Sequence, residues 1–416
     1  MSDGRWLALL CLGRAGFALI VSAYSAVLPL LQREWHMNSS QAGAVQSAWQ
    51  VGYLLSLFLA GFLGDRYGAK RTYLAMSWAA CGGVLLYAFL ADGFLSGLLL
   101  YGFAGLCSGG SYTPGLALIA ERFPPAVRGR AMGFYLAAAS FGYAVSLLAA
   151  GFLVPLGGWR AVTVFAAGGT VAGTLIAAYV LRATPNIVNH RHGGTAAAAG
   201  LPAVWRNRPA MLVVWAYAFH AWELLGMWAW LPAFLTAAVA GSGELTLAAV
   251  GLGTLLAAAS HVMSTLGNIT GGTLSDRVGR TAVMMTMSCT SLACSLAFGW
   301  LYAAPLWLLT LVALAYNFTA VADSSVYSTA LTELVPPHCL GAAYSLRSVL
   351  GFGLGAVSPW AFGLVLDAAA RHSGSRSVFA WGMAWAFLGA GGLLGPWCIL
   401  RLRKAAAAAA MANGRR

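Results

Sequence analysis

Apolar residues run along this chain in blocks of twenty or more, divided by short polar or charged stretches. Twelve blocks lie at about 6–31, 40–63, 72–91, 94–120, 129–154, 159–181, 208–238, 246–270, 281–301, 305–333, 341–366 and 378–401. Each is long enough, as a helix, to cross a bilayer core of roughly 30 Å. Ala, Leu and Gly dominate them, and no alternation with a period of two appears. The blocks therefore predict helices rather than barrel strands, and the chain reads as an all-α integral membrane protein. The first block lacks a convincing small-residue cleavage site, which argues against a removed leader.

The polar stretches carry a repeat. Between the second and third blocks stands Gly61-Phe-Leu-Gly-Asp65-Arg66-Tyr-Gly68-Ala-Lys70-Arg71, and Gly272-Thr-Leu-Ser-Asp276-Arg277-Val-Gly279-Arg280 follows 211 residues later. A second pair, Glu121-Arg-Phe-Pro124-Pro125-Ala-Val-Arg128-Gly129 and Glu333-Leu-Val-Pro336-Pro337-His-Cys-Leu340-Gly341, is offset by 212. Proline stops one helix there and lets the next begin. Two motifs at nearly one offset predict two pseudo-symmetric six-helix bundles, 1–182 and 208–404, joined by a linker at 183–207 and followed by a tail at 405–416.

Composition agrees. Of 416 residues, 60% are hydrophobic and 8% charged, against roughly 25% charged in soluble domains. The net charge of +13 would suggest nucleic acid in a soluble protein, but its placement reads otherwise. With both termini cytoplasmic, 18 of the 24 Lys and Arg fall on the cytoplasmic side. That asymmetry reports the topology of a multi-pass cell-membrane (inner-membrane) protein, not a nucleic-acid partner. The basic tail, Arg401, Arg403, Lys404, Arg415 and Arg416, reads as an anchor against anionic lipid. The seven Cys have no metal spacing and read as packing residues. His190 and His192 sit in a stretch with little to bury and read as solvated linker rather than metal ligands.

At this point the sequence resembles the major facilitator superfamily. Its signature between helices 2 and 3 has the form G-x-x-x-D-R-x-G-x-[KR]-[KR], and Gly61, Asp65, Arg66, Gly68, Lys70 and Arg71 fill it. The second copy keeps Gly272, Asp276, Arg277 and Gly279 without the final basic pair. In layout the resemblance covers essentially the whole chain. It implies that Asp65 latches the inner gate against the start of helix 11, with Arg66, Arg71 and Arg122 or Arg128 completing an ion-pair network. The other reading is a plain positive-inside turn. Two family patterns are altered. Tyr101 replaces the Arg of helix 4, and Ser146-Leu147 replaces the Gly-Pro pair of drug–proton antiporters. Both count against multidrug efflux.

Ionisable residues inside spans are the informative ones, because a charge at mid-bilayer costs at least roughly 2.5 kcal/mol. They are Arg14, His220, Glu223, His261, Asp323 and Arg347. His220 and Glu223 are three apart and share a helix face with Met227 and Trp230. Glu223 is either a proton carrier or is fixed by His220 or an Arg. Asp323 and Arg347 lie at similar depth and form either a structural pair or part of a substrate site. Arg14 has no acid on its own helix and needs an anionic partner: Glu223, Asp323 or a substrate anion. By the repeat, His261 falls on Gln50, Asp323 on Ser111 and Arg347 on Tyr135. The expected lining is Arg14, Tyr24, Gln50, Tyr135, His220, Trp230, His261, Asn317 and Arg347 for substrate, with Glu223 and Asp323 for protons. Gly61, Asp65, Arg66, Gly68, Lys70, Arg71, Arg122, Asp276, Arg277 and Gly279 are the expected gating set.

The reading is a monomeric, twelve-helix secondary transporter, not an enzyme. It moves a small organic or inorganic anion by alternating access, with protons as the coupling partner in a symporter. No nucleotide-binding loop or zincin spacing is present, and no cofactor or metal is expected. Efflux of drugs or other hydrophobic compounds is the alternative, and a membrane-embedded enzyme or flippase a remote one.

Overall fold

The computed structural model describes residues 1–188, 193–241, 243–336, 339–374 and 377–414. His190, His192, Arg415 and Arg416 lie outside the described residues. The described chain is helical throughout, with no strand. The helices are α1 (Asp3–Glu34), α2 (Ser39–Tyr67), α3 (Ala69–Leu90) and α4 (Phe94–Arg122). Pro125–Leu181 is one helical stretch broken at Gly157 and Gly158, where φ is −153° and 61°. The pieces 125–156 and 159–181 are α5 and α6. Then come α7 (Arg208–Ala240), α8 (Leu247–Val278), α9 (Arg280–Leu301), α10 (Leu306–Leu334), α11 (Leu340–Ser373) and α12 (Val378–Lys404). With that break counted, the observed helices correspond one for one to the twelve apolar blocks.

The chain divides into two compact units, one of Met1–Arg191 with Leu235–Ala258, the other of His192–Phe234 with Ala259–Arg416. In the first, α1 and α6 approach so closely that a methyl group on Gly16 would strike the Gly169 backbone. Small residues at a crossing are the usual means of packing helices in lipid, where burial of apolar surface offers little gain. The α7–α8 tip is part of this unit. Thr254 Oγ1 donates to the Ala26 carbonyl at 3.2 Å, and Gly251 packs on Gly151 and Pro155. The second unit has an aromatic centre in which Phe234, Phe298, Phe362, Trp381 and Trp385 meet edge to face or tilted, the arrangement their ring quadrupoles favour.

The repeat is visible in the backbone. The turns after α2 and α8 both use a glycine with positive φ, Gly68 at 88° and Gly279 at 104°, a conformation other residues adopt only with strain. Both fourth helices are also interrupted. α4 passes through a short 3-10 segment, Ser108–Ser111, and α10 breaks at Asp323, between Leu306–Ala322 and Ser324–Leu334.

The linker, expected to be solvated, and the tail, expected to anchor on lipid, both contribute buried residues among those described. A helix, Gly193–Arg206, occupies the linker, and its Val204 is buried in the second unit's core. Ala408 and Met411 of the tail are buried in the same core, and the Ala412 N–H donates to Glu333 at 3.2 Å.

Candidate functional site

Each unit holds its own polar cluster. In the first, Arg14 on α1 is 6% exposed. Its guanidinium donates to Ser111 Oγ at the break in α4 and lies 5.4 Å and 5.7 Å from the ring centres of Tyr112 and Tyr135. Tyr135 donates its hydroxyl to the Ser111 carbonyl and stands 3.3 Å from Tyr73 Oη. The guanidinium thus meets aromatic rings and a neutral hydroxyl acceptor, so the charge is solvated by rings and hydroxyls rather than neutralised. Among the described residues, no carboxylate stands within 4.0 Å of the guanidinium. Tyr24 donates to the Ala42 carbonyl at 2.8 Å and stacks on Tyr101. Gln50 is buried.

The second cluster centres on the break in α10. His220 Nδ1 lies 3.1 Å from Asp323 Oδ1, and His220 Nε2 is 2.9 Å from Ser324 Oγ. Tyr327 donates to Asp323 Oδ2 at 3.1 Å. The two readings left open for Asp323 and Glu223 are thereby narrowed. Asp323 pairs with His220, not with Arg347. Glu223, one turn further along α7, instead accepts from Ser291 Oγ at 2.7 Å. Arg347 donates to Ser328 Oγ and lies over the Tyr217 ring at 4.4 Å. Similar depth does not bring Asp323 and Arg347 together, because depth along a helix leaves the direction around it open.

Asn317 is a junction. Its Oδ1 accepts from Trp228 Nε1 at 3.1 Å and Ser264 Oγ at 2.6 Å. Its amide nitrogen donates to Ser260 Oγ at 2.9 Å and stands 3.4 Å from His261 Nδ1. Trp230 is taken up by packing, with its indole N–H on the Pro359 carbonyl at 2.9 Å and its ring stacked on Phe362.

The motif turns differ between the halves. In the second, Arg280 reaches both Asp276 and Glu333, a clasp that neutralises both acids. The sequence gives Arg280 no assigned role in the second copy of the motif. Its cue was Glu333, the repeat partner of Glu121. In the first half Ala69 stands at the Arg280 position, and Asp65 and Glu121 line one pocket of about 130 Å³ without a base among the lining residues. The network expected around Asp65 is not formed among the described residues. Arg122 pairs with Asp3 at 2.8 Å, Arg66 lies over the Tyr67 ring, and Lys70 donates to the Thr184 carbonyl at 2.7 Å. The Arg71 N–H donates to Asn186. Gly61 has open space where a side chain would sit, and Arg277 is exposed. Among the described residues, no group of three His, Cys, Asp or Glu side chains is arranged to hold a metal.

Comparison with known proteins places this architecture. A probable sulfoacetate transporter of Cupriavidus necator is 26% identical over 365 residues, 82% of each chain. A hexuronate transporter of Bacillus subtilis is 24% identical, covering 89% of this chain and 87% of its own. Among solved structures, a D-xylose–proton symporter superposes with a TM-score of 0.76 at 15% identity, over 95% of this chain and 97% of that one. The family model described as Major Facilitator Superfamily matches residues 10–359. The twelve-helix layout, the repeated turn and these matches agree: the chain belongs to the major facilitator superfamily.

Proposed function

We propose that this transporter carries a small organic anion across the membrane by alternating access, coupled to protons. The observation that supports the anion most directly is Arg14, a buried guanidinium with no carboxylate within 4.0 Å among the described residues. An arginine cannot shed its charge, so a substrate anion is the natural counter-charge. The substrates named for the two relatives, sulfoacetate and hexuronate, are both anions and favour the same reading. The proton path runs over Asp323 with His220 and over Glu223, three buried titratable groups on α7 and α10. Asp65 and its turn form the gate, and both termini face the cytoplasm.

The experiment is flux in proteoliposomes under an imposed pH gradient, with organic acids as substrates. Uptake of an acid that follows the gradient and is lost in Arg14→Gln supports the proposal. Transport of neutral or cationic compounds alone removes the anion, and flux indifferent to the gradient removes the coupling.

A further inference from the structure

A second feature of the Arg14 cluster extends the anion reading, on which it rests, to the body of the substrate. Arg14 lines a small cavity of about 20 Å³ within the first unit, shared with Trp49, Tyr53, Tyr143, Ser108 and Ser111. Two donors in this lining lack an acceptor among the described residues: Arg14 Nε and Trp49 Nε1 are buried without a hydrogen-bond partner there, on side chains 6% and 3% exposed. Buried donors are normally paired, and an unpaired one at a cavity wall is a demand for an acceptor. The serines do not meet it. Ser108 Oγ donates to the Ala104 carbonyl at 2.6 Å, and Ser111 Oγ already accepts from the Arg14 head. None of the lining residues is acidic. Two residues of this lining thus each carry an N–H group that makes no hydrogen bond among the described residues, one of them on a fixed positive charge, and the two oxygens of a carboxylate are the complement of such a pair.

The same lining is aromatic. Trp49 and Tyr53 stack with ring centres 5.1 Å apart and planes 9° apart, and Trp49 continues to Tyr101 at 6.1 Å. An aromatic face prefers an offset, planar, unsaturated neighbour to a puckered saturated one.

We infer that this cavity receives the carboxylate of a substrate whose body is flat and unsaturated. Arg14 and Trp49 share the head between them, and the Trp49–Tyr53 face takes the body. Trp49 then determines specificity twice, once through its N–H and once through its ring.

Isothermal titration of the full-length protein in detergent tests this with three probes: benzoate, cyclohexanecarboxylate and benzamide. Benzoate is expected to bind, cyclohexanecarboxylate about tenfold more weakly, and benzamide not measurably. Trp49→Phe keeps a ring and removes the N–H. It should weaken benzoate about tenfold while retaining the preference for the flat acid. Trp49→Leu should lose that preference. Size-exclusion and melting profiles establish that each variant is folded, and Trp49→Phe with the probe pair decides the matter if Trp49→Leu does not fold. Equal binding of the two acids, with Trp49→Phe unaffected, overturns the role of Trp49 and leaves the anion reading standing. Absence of carboxylate binding in the native protein, or binding unchanged in Arg14→Gln, overturns both.

Discussion

His220 on α7 and Asp323 on α10 stand 3.1 Å apart, both buried, with Ser324 and Tyr327 closing the ring of contacts. Nδ1 faces the carboxylate, while Ser324 meets the other nitrogen. Asp323→Asn weakens that contact and is expected to cost about 1–3 kcal/mol. Combining His220→Ala with Asp323→Asn should cost little more, because paired residues are not additive. Melting in detergent measures both. In proteoliposomes Asp323→Asn should exchange substrate yet fail to concentrate it under a pH gradient; full accumulation would remove Asp323 from the proton path.

The Arg280 clasp should be worth about 1 kcal/mol, since one of its acids is largely exposed and water screens the pair. Arg280→Ala is expected to lower the melting temperature at low salt, with a smaller difference at high salt. Ala69→Arg is the converse experiment: the pocket between Asp65 and Glu121 gives a guanidinium room, and the melting temperature should rise. A fall would show that burial of the longer chain outweighs the new ion pairs.

Asp65→Asn tests the gate. Asp65 is exposed and makes no ion pair among the described residues, so the variant should reach the membrane in normal amounts with an unchanged melting profile. Its transport should nevertheless fall severalfold, as expected of a side chain used in another stage of the cycle. Native flux in this variant would reduce the turn to a topological signal.

Within the first unit, Gly151 on α5 and Gly251 on α8 pack backbone to backbone. A Cβ on Gly251 would lie 2.7 Å from the Gly151 carbonyl oxygen, so Gly251→Ala is expected to push the two helices apart and lower the melting temperature in detergent. An unchanged melting temperature would show that the α7–α8 tip separates from α5 at no cost.

The helices were legible because lipid demands long apolar runs, and the repeat was legible because its turns must be polar. Even the break at Gly157–Gly158 falls in the gap between two apolar blocks. The partners of the buried charges were not legible. Arg14 meets Ser111 from 97 positions away, and Ser111 is one serine among many. Asp323 and Arg347 share a depth, yet the rotation of α10 turns the acid towards α7. Trp49 and Tyr53 did leave a cue, since aromatic residues four apart share a helix face. What the sequence could not show is that Trp49 and Arg14 line one cavity, with the indole nitrogen unpartnered among the described residues.

The interrupted fourth helices bear on how the chain is made. The break divides α4 into pieces of 14 and 10 residues and α10 into pieces of 17 and 11. An autonomous membrane span needs about 20 residues, so few of these pieces could enter the bilayer unaided. Each fourth helix must therefore leave the ribosome and partition as one body, its midpoint held by neighbours already in place. Biogenesis thus has an order: α1 must be waiting when Ser111 arrives, and α7 when Asp323 does.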